Sequence, residues 1–180
     1  MKHTSPSHRV VITGSESTGK TALAKALAEY FDCPYSPEAA RLYLEDHDRM
    51  LTVDDVGPIA TRQMELEETA IRQTRHLVIH DTDLLSTLIY AQHYYGESPE
   101  WLRNTAKQRM ADLYLLCDID LPWRPDGLQR DSGSTEQRRH MHQQFIDLLE
   151  NSGQRWSLIQ GSGKGRFEQA FSVIEKYLDG

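Results

Sequence analysis

Eight consecutive residues, Gly14-Ser15-Glu16-Ser17-Thr18-Gly19-Lys20-Thr21, follow the spacing G-x-x-x-x-G-K-[ST] without a gap. Few local patterns restrict a fold as tightly. The glycines let backbone N–H groups close around phosphate oxygens with no Cβ in the way. A lysine at this place reaches β- and γ-phosphates, and the hydroxyl after it faces a metal ion. The pattern needs a buried strand before it and a helix after it, and both are written in the chain. Arg9-Val10-Val11-Ile12-Thr13 is a β-branched run, and from Thr21 to Phe31 apolar residues Leu23, Leu27, Tyr30 and Phe31 recur at helical spacing. The helix N-terminus adds its dipole to the phosphate site. The sequence thus predicts a nucleoside triphosphate, taken as ATP, with Mg2+, held by Gly14 to Thr21, with Thr21 on the metal.

The rest of the chain repeats the strand–helix alternation. Leu77-Val78-Ile79-His80-Asp81, Leu113-Tyr114-Leu115-Leu116-Cys117 and Trp156-Ser157-Leu158-Ile159 are apolar runs, and Cys33-Pro34-Tyr35-Ser36 is a weaker strand candidate. Helical spacing covers residues 53–75, with Gly57-Pro58 delaying or kinking the start. It returns in residues 84–95, ended by Gly96, and after Ser98-Pro99-Glu100, with Ser98 as cap. Two further helices follow, one opened by Ser134-x-x-Gln137 and ended by Gly153, and one closing the chain. Continuous rather than alternating apolar strands imply a parallel sheet covered on both faces. The expected fold is α/β, a kinase-like P-loop NTPase. It has a five-stranded parallel sheet with helices on both faces and an arginine-containing lid over residues 122–139. Residues 1–8 are expected to be a disordered tail, and residues 9–180 a single domain.

The net charge of −7 argues against nucleic acid as the main partner. No apolar run approaches a membrane span and no signal peptide is visible, so no membrane partner and a cytoplasmic location are expected. Cys33 and Cys117 are too few for a disulfide framework, and the histidines show no metal spacing. The oligomeric state is not encoded in any feature of the chain.

In a parallel sheet, ligands gather at the carboxyl ends of the strands. Asp81 ends one strand and is the candidate second metal ligand beside Thr21, with helix capping as the plain alternative. Asp83 suits either a substrate contact or a cap. Glu38 is placed to take the proton of an acceptor hydroxyl, and Arg41 pairs with Glu38 or with phosphate. The polar stretch from Pro122 to Arg139 carries Arg124, Arg130 and Arg138, any of which suits the transferring phosphoryl group; Arg130 is taken as the catalytic one. Trp101 and Trp123, with Tyr94 and Tyr95, are candidates to stack on a planar substrate ring, against a plain packing role. Gly161-Ser162-Gly163 suits either a loop against the nucleobase or an ordinary turn.

Taken in order, the P-loop, Pro37-Glu38-x-x-Arg41, Asp81-Thr82-Asp83, Tyr94-Tyr95-Gly96 and Asp118-Ile119-Asp120-Leu121-Pro122-Trp123-x-Pro125-Asp126-Gly127 resemble a known family. It is the nicotinamide riboside kinase domain of the bacterial bifunctional NAD-salvage proteins, with its stand-alone P-loop relatives. The resemblance runs from about Arg9 to Leu178. It implies transfer of the ATP γ-phosphate to the 5′-hydroxyl of nicotinamide riboside, giving nicotinamide mononucleotide. The bifunctional members carry an adenylyltransferase domain, and some a DNA-binding domain, ahead of the kinase; with the P-loop at Gly14, a stand-alone kinase is expected here. Lys20 and a lid arginine would stabilise the transferring phosphoryl, and Glu38 or Asp83 would orient or deprotonate the hydroxyl. A kinase for another nucleoside or small alcohol is the nearest alternative. A nucleotide-dependent switch with slow hydrolysis is the alternative of another class; the absence of N-K-x-D disfavours GTP.

Overall fold

The structure is a computed structural model that describes residues 7–124 and 134–180. Strand β1 (His8–Thr13) enters the P-loop and α1 (Lys20–Tyr30) leaves it. Then follow β2 (Tyr35–Ser36), α2 (Ala39–His47), α3 (Val56–Ile71), β3 (Leu77–Asp81), α4 (Leu84–Tyr95) and α5 (Glu100–Gln108). The chain closes with β4 (Leu113–Cys117), α6 (Thr135–Ser152), β5 (Arg155–Ile159) and α7 (Gly163–Asp179).

The strands form one sheet in the order β2-β3-β1-β4-β5, and every pairing is parallel. In β1, Val10 and Ile12 point to one face and Val11 to the other, as strand geometry requires. On the first face α1 and α7 pack through Leu23, Leu27, Ala170 and Ile174. On the second, α3 to α6 pack through Val56, Leu84, Leu88, Leu102, Met141 and Phe145 around Tyr114 and Leu116. Helices on both faces leave the carboxyl edge of the sheet open for a ligand.

Several local boundaries differ from the sequence expectation. His8 already pairs with Leu77, so β1 begins inside the expected tail, whose first six residues lie outside the described ones. The helical stretch of residues 53–75 divides into a 3-10 turn (Val53–Asp55) and α3, which stops at Ile71. A capping box sets its start: Asp55 Oδ2 accepts from the Thr52 N–H at 2.8 Å, and the Thr52 side chain accepts from the Asp55 N–H. Pro58 falls in the first turn of α3, where its missing N–H costs nothing. Pro99, not Ser98, occupies the N-cap of α5. Of the expected lid, residues 125–133, with Arg130 among them, lie outside the described residues, and residues 135–139 are the first turns of α6.

Among the described residues no helix is long and apolar enough to cross a membrane.

Candidate active site

The P-loop geometry follows from three residues with positive φ: Gly14 at 136°, Ser17 at 56° and Gly19 at 78°. Gly14 is the constrained one. A Cβ there would stand 2.9 Å from the Cys117 carbonyl oxygen, so the loop turns against the end of β4 only because that atom is missing. Inside the loop, Lys20 Nζ donates to the Ser15 carbonyl at 2.8 Å, and Thr18 Oγ1 donates to the same oxygen at 2.8 Å. Lys20 is 6% exposed, a cation held at the base of the cradle.

Next to Lys20 in sequence, Thr21 Oγ1 donates to Asp81 Oδ2 at 2.5 Å, and the Tyr35 hydroxyl donates to the same oxygen at 3.3 Å. The other oxygen, Asp81 Oδ1, is buried and accepts no hydrogen bond among the described residues. A threonine hydroxyl and a carboxylate with a spare buried oxygen are hard donors, which suits magnesium. No group of three or more metal-ligating His, Cys, Asp or Glu side chains occurs among the described residues. Two such donors would leave most positions around an ion to water and phosphate oxygens.

A cavity of about 1050 Å³ opens on the P-loop. It is walled by Glu16 to Thr21, α2, the Leu51–Thr52 turn, α3 and α4. Glu38 and Arg41 line it together, as the sequence suggests. Glu38 is the N-cap residue of α2, but its side chain makes no capping bond. Burial pushes its carboxyl above the usual range; the Lys20 ammonium pulls it back and the Asp81 carboxylate pushes it further up. Glu45 and Asp48 add carboxylates to the same wall.

Three tyrosines from α4 complete it. The Tyr94 hydroxyl donates to Glu16 Oε1 at 2.9 Å, the Tyr90 hydroxyl donates to the Gly14 carbonyl at 3.2 Å, and Tyr95 lines the cavity beside them. Trp101 does not join them. It stands 41% exposed on α5, outside the cavity wall, and Trp123 is part-buried outside it too. Tyr94 and Tyr95 are thus the aromatic residues of the expected set that reach the cavity.

Asp83 is 3% exposed, and both its oxygens are engaged. Oδ1 accepts from the Leu85 and Ser86 N–H groups at 3.0 and 3.3 Å, capping α4, and Oδ2 accepts from the Tyr114 hydroxyl at 2.7 Å. Of the two expectations for this residue, the cap is the one the geometry displays. Burial raises its carboxyl pKa, and the Tyr114 hydrogen bond lowers it.

The two described lid arginines differ. Arg124 lines the cavity, and its N–H donates to Ser17 Oγ at 2.8 Å. Arg138 lies behind the loop: its two terminal nitrogens donate to the Leu121 carbonyl at 2.9 Å and the Ser17 carbonyl at 3.1 Å. Arg138 ties α6 to the P-loop.

Three neighbours of the candidate site escape a reading of the sequence. Gln63 Oε1 accepts from the Ala39 N–H at 2.9 Å and fixes the start of α2 beside Glu38. Below it, Glu67 is 1% exposed between Arg9 and Arg109, and burial pushes its carboxyl up to about 7. Polar residues at i and i+4 on the buried stripe of α3 are the signal for both. Arg166, in the first turns of α7, is buried against the P-loop with no local signal at all.

Residues 9–167 match a family described as an AAA domain. A curated relative is the trifunctional NAD biosynthesis/regulator protein NadR of Salmonella typhimurium, 26% identical over 174 residues. The match takes in 94% of this chain and 42% of that protein, so the chain spans less than half the length of this relative. Two crystal structures of NadR are similar. The one in complex with NR has a TM-score of 0.78 at 26% identity, over 97% of this chain and 52% of that one. The one with NAD and AMP-PNP has a TM-score of 0.77 at 25% identity, over 96% and 50%. A thymidylate kinase from Ehrlichia chaffeensis shares the fold at 16% identity, with a TM-score of 0.69 over 96% of this chain and 99% of that one.

Proposed function

This chain belongs to the AAA-domain family of P-loop proteins, and from that premise we propose that it is a kinase that transfers the γ-phosphate of ATP to the 5′-hydroxyl of nicotinamide riboside. The observation that carries the reading is the composition of the cavity wall that α2 and α4 contribute beside the P-loop. Tyr90, Tyr94 and Tyr95 offer aromatic surface, and Glu38, Glu45 and Asp48 offer negative charge. A pyridinium nucleoside is flat, cationic and free of phosphate, and matches such a wall. A nucleoside monophosphate acceptor would call for several arginines aimed at its phosphate instead. The likeness to NadR bound to NR supports the same acceptor.

In this reading the P-loop N–H groups and Lys20 hold the triphosphate, and Thr21 and Asp81 hold the magnesium that neutralises its charge when bound. Glu38 accepts the proton of the acceptor hydroxyl; burial raises its proton affinity above that of an ordinary carboxylate, which favours that role. Arg41 steadies Glu38 or the phosphoryl. Asp83 acts by holding the start of α4 and hence the tyrosines. Of the described lid arginines, Arg124 lines the cavity and is the one to meet the transferring phosphoryl group, a role it would share with or leave to Arg130.

ADP release from Mg-ATP, measured with and without nicotinamide riboside, tests the proposal, with Lys20→Ala as the blank. Strong stimulation with formation of the mononucleotide supports it. Binding of ATP without stimulation discards this acceptor, and hydrolysis indifferent to any acceptor favours the regulatory switch.

A further inference from the structure

One buried side chain joins the P-loop to the loop after β5. Arg166 is 4% exposed. Its Nη1 donates to the Thr18 carbonyl, and its Nη2 donates to Asp120 Oδ1 at 2.6 Å and to the Asp118 carbonyl at 3.1 Å. The second Asp120 oxygen accepts from the Gly161 N–H at 2.6 Å. Beside it, Gln160 Nε2 donates to Asp118 Oδ2 at 2.8 Å. An arginine in the first turns of a surface helix ordinarily reaches for water. This one is drawn under the loop, and a Cβ on Gly19 would lie 3.6 Å from its Nη1.

The target of Nη1 sets the consequence. In a trans peptide the C=O and the following N–H point in opposite directions from one plane. A guanidinium that fixes the Thr18 carbonyl on the rear of the loop therefore fixes the Gly19 N–H toward the phosphate side. A positive charge on that carbonyl also polarises the amide and strengthens the N–H as a donor. Arg166 does not line the cavity, so it acts on phosphate only through this peptide.

We propose that Arg166 is a positioning residue that couples the loop of Gln160 and Gly161 to the phosphate cradle through Asp120. The inference rests on the P-loop binding a triphosphate and is independent of which acceptor is used.

Asp120→Asn gives the cleanest test, because charge and geometry predict opposite signs. An amide offers one acceptor oxygen where the carboxylate offers two. Arg166 and the Gly161 N–H then compete for that oxygen and the brace slackens, while the loss of a negative charge by itself favours an anion. Binding of Mg-tripolyphosphate, which has no nucleoside, and of Mg-ATP is measured by titration calorimetry. The proteins are wild type, D120N, R166K, R166Q and D120N/R166Q, each checked by thermal melting. The expected result is weaker tripolyphosphate binding in D120N, on the order of tenfold, with no further loss when D120N is added to R166Q. R166K keeps the charge but not the fork, and is expected to fall with R166Q. Unchanged or tighter tripolyphosphate binding in D120N, wild-type affinity in R166K, or additive losses in the double variant overturns the coupling. A melting shift in D120N with no change in affinity does the same. If R166Q does not fold, D120N and R166K decide alone. Wild-type tripolyphosphate affinity in Lys20→Ala would overturn the P-loop reading itself, and is read separately.

Discussion

Replacing Tyr114 by Phe removes one oxygen atom from the middle of the protein and leaves the ring in place. Tyr114 is fully buried, and its hydroxyl serves two partners: it donates to Asp83 Oδ2 at 2.7 Å and accepts from the Ala111 N–H at 3.0 Å. Packing changes little, so the cost is polar. A hydrogen bond to a charged acceptor contributes about 1.5–3 kcal/mol, and a buried N–H left without a partner costs about 1–3 kcal/mol. Allowing for overlap, about 3 kcal/mol is expected at neutral pH, or a fall in melting temperature of roughly 6–12 °C for a chain of this size. The pH dependence is the sharper reading. Burial already raises the Asp83 carboxyl in the folded state, and the Tyr114 donor opposes that rise. In Y114F the folded-state pKa climbs further. The folded protein then holds a proton that the unfolded chain has released, so its stability falls as pH rises from the ordinary carboxylate range through the raised pKa. The penalty should therefore shrink on acidification. Urea unfolding of both proteins between about pH 5 and 8 measures it. A loss below about 0.5 kcal/mol at neutral pH, or one that grows as pH falls, would refute the account.

Glu38→Gln is expected to lower kcat by about 10²–10⁴ with a smaller change in the ATP KM, and to remove the acidic limb of the wild-type pH–rate profile; a surviving limb would assign that proton elsewhere. Gly14→Ala combines a side chain at φ 136° with a contact of 2.9 Å to the Cys117 carbonyl. A loss of about 2–4 kcal/mol, together with ATP affinity, is expected; normal denaturation and binding would show that the loop has more room than its geometry implies. Glu67→Gln removes a carboxyl pushed up to about 7, whose ionisation costs stability as pH rises from about 4.5 towards 7. The variant should lose that slope, and an unchanged stability–pH curve counts against a buried, protonated Glu67.

Much of the fold was legible because its signals are local. Val10-Val11-Ile12 before the glycines, and the apolar runs ending at Asp81 and Cys117, announce buried parallel strands by composition alone. Gly96 and Gly153 announce helix ends because each adopts the left-handed conformation that closes a helix. The errors and omissions share a different cause. Val53 to Asp55, read as the start of one long helical stretch, form a separate 3-10 turn with Thr52 in a capping box whose meaning depends on both side chains turning back. Asp83 precedes a helix and follows a strand, and only the hydroxyl of Tyr114, thirty-one positions away, shows that its second oxygen is occupied. Arg166 meets Thr18 across 148 positions, a separation at which no spacing rule operates. The ring of Trp101 suits stacking, yet the face of α5 that buries Leu102 and Ala106 turns Trp101 outward.

β1 lies between β3 and β4, with Val10, Val11 and Ile12 wholly shielded from water, whereas β2 is a two-residue edge that pairs with β3 alone. The amides of β1 have no route to exchange short of disrupting the whole sheet, while those around Tyr35 and Ser36 can open by local fraying. The anion cradle therefore stands on the slowest-exchanging part of the molecule, and Glu38 follows its most easily opened strand. Deuterium uptake should register this as a gradient running across the sheet, so that one wall of the same cavity breathes while the other stays fixed.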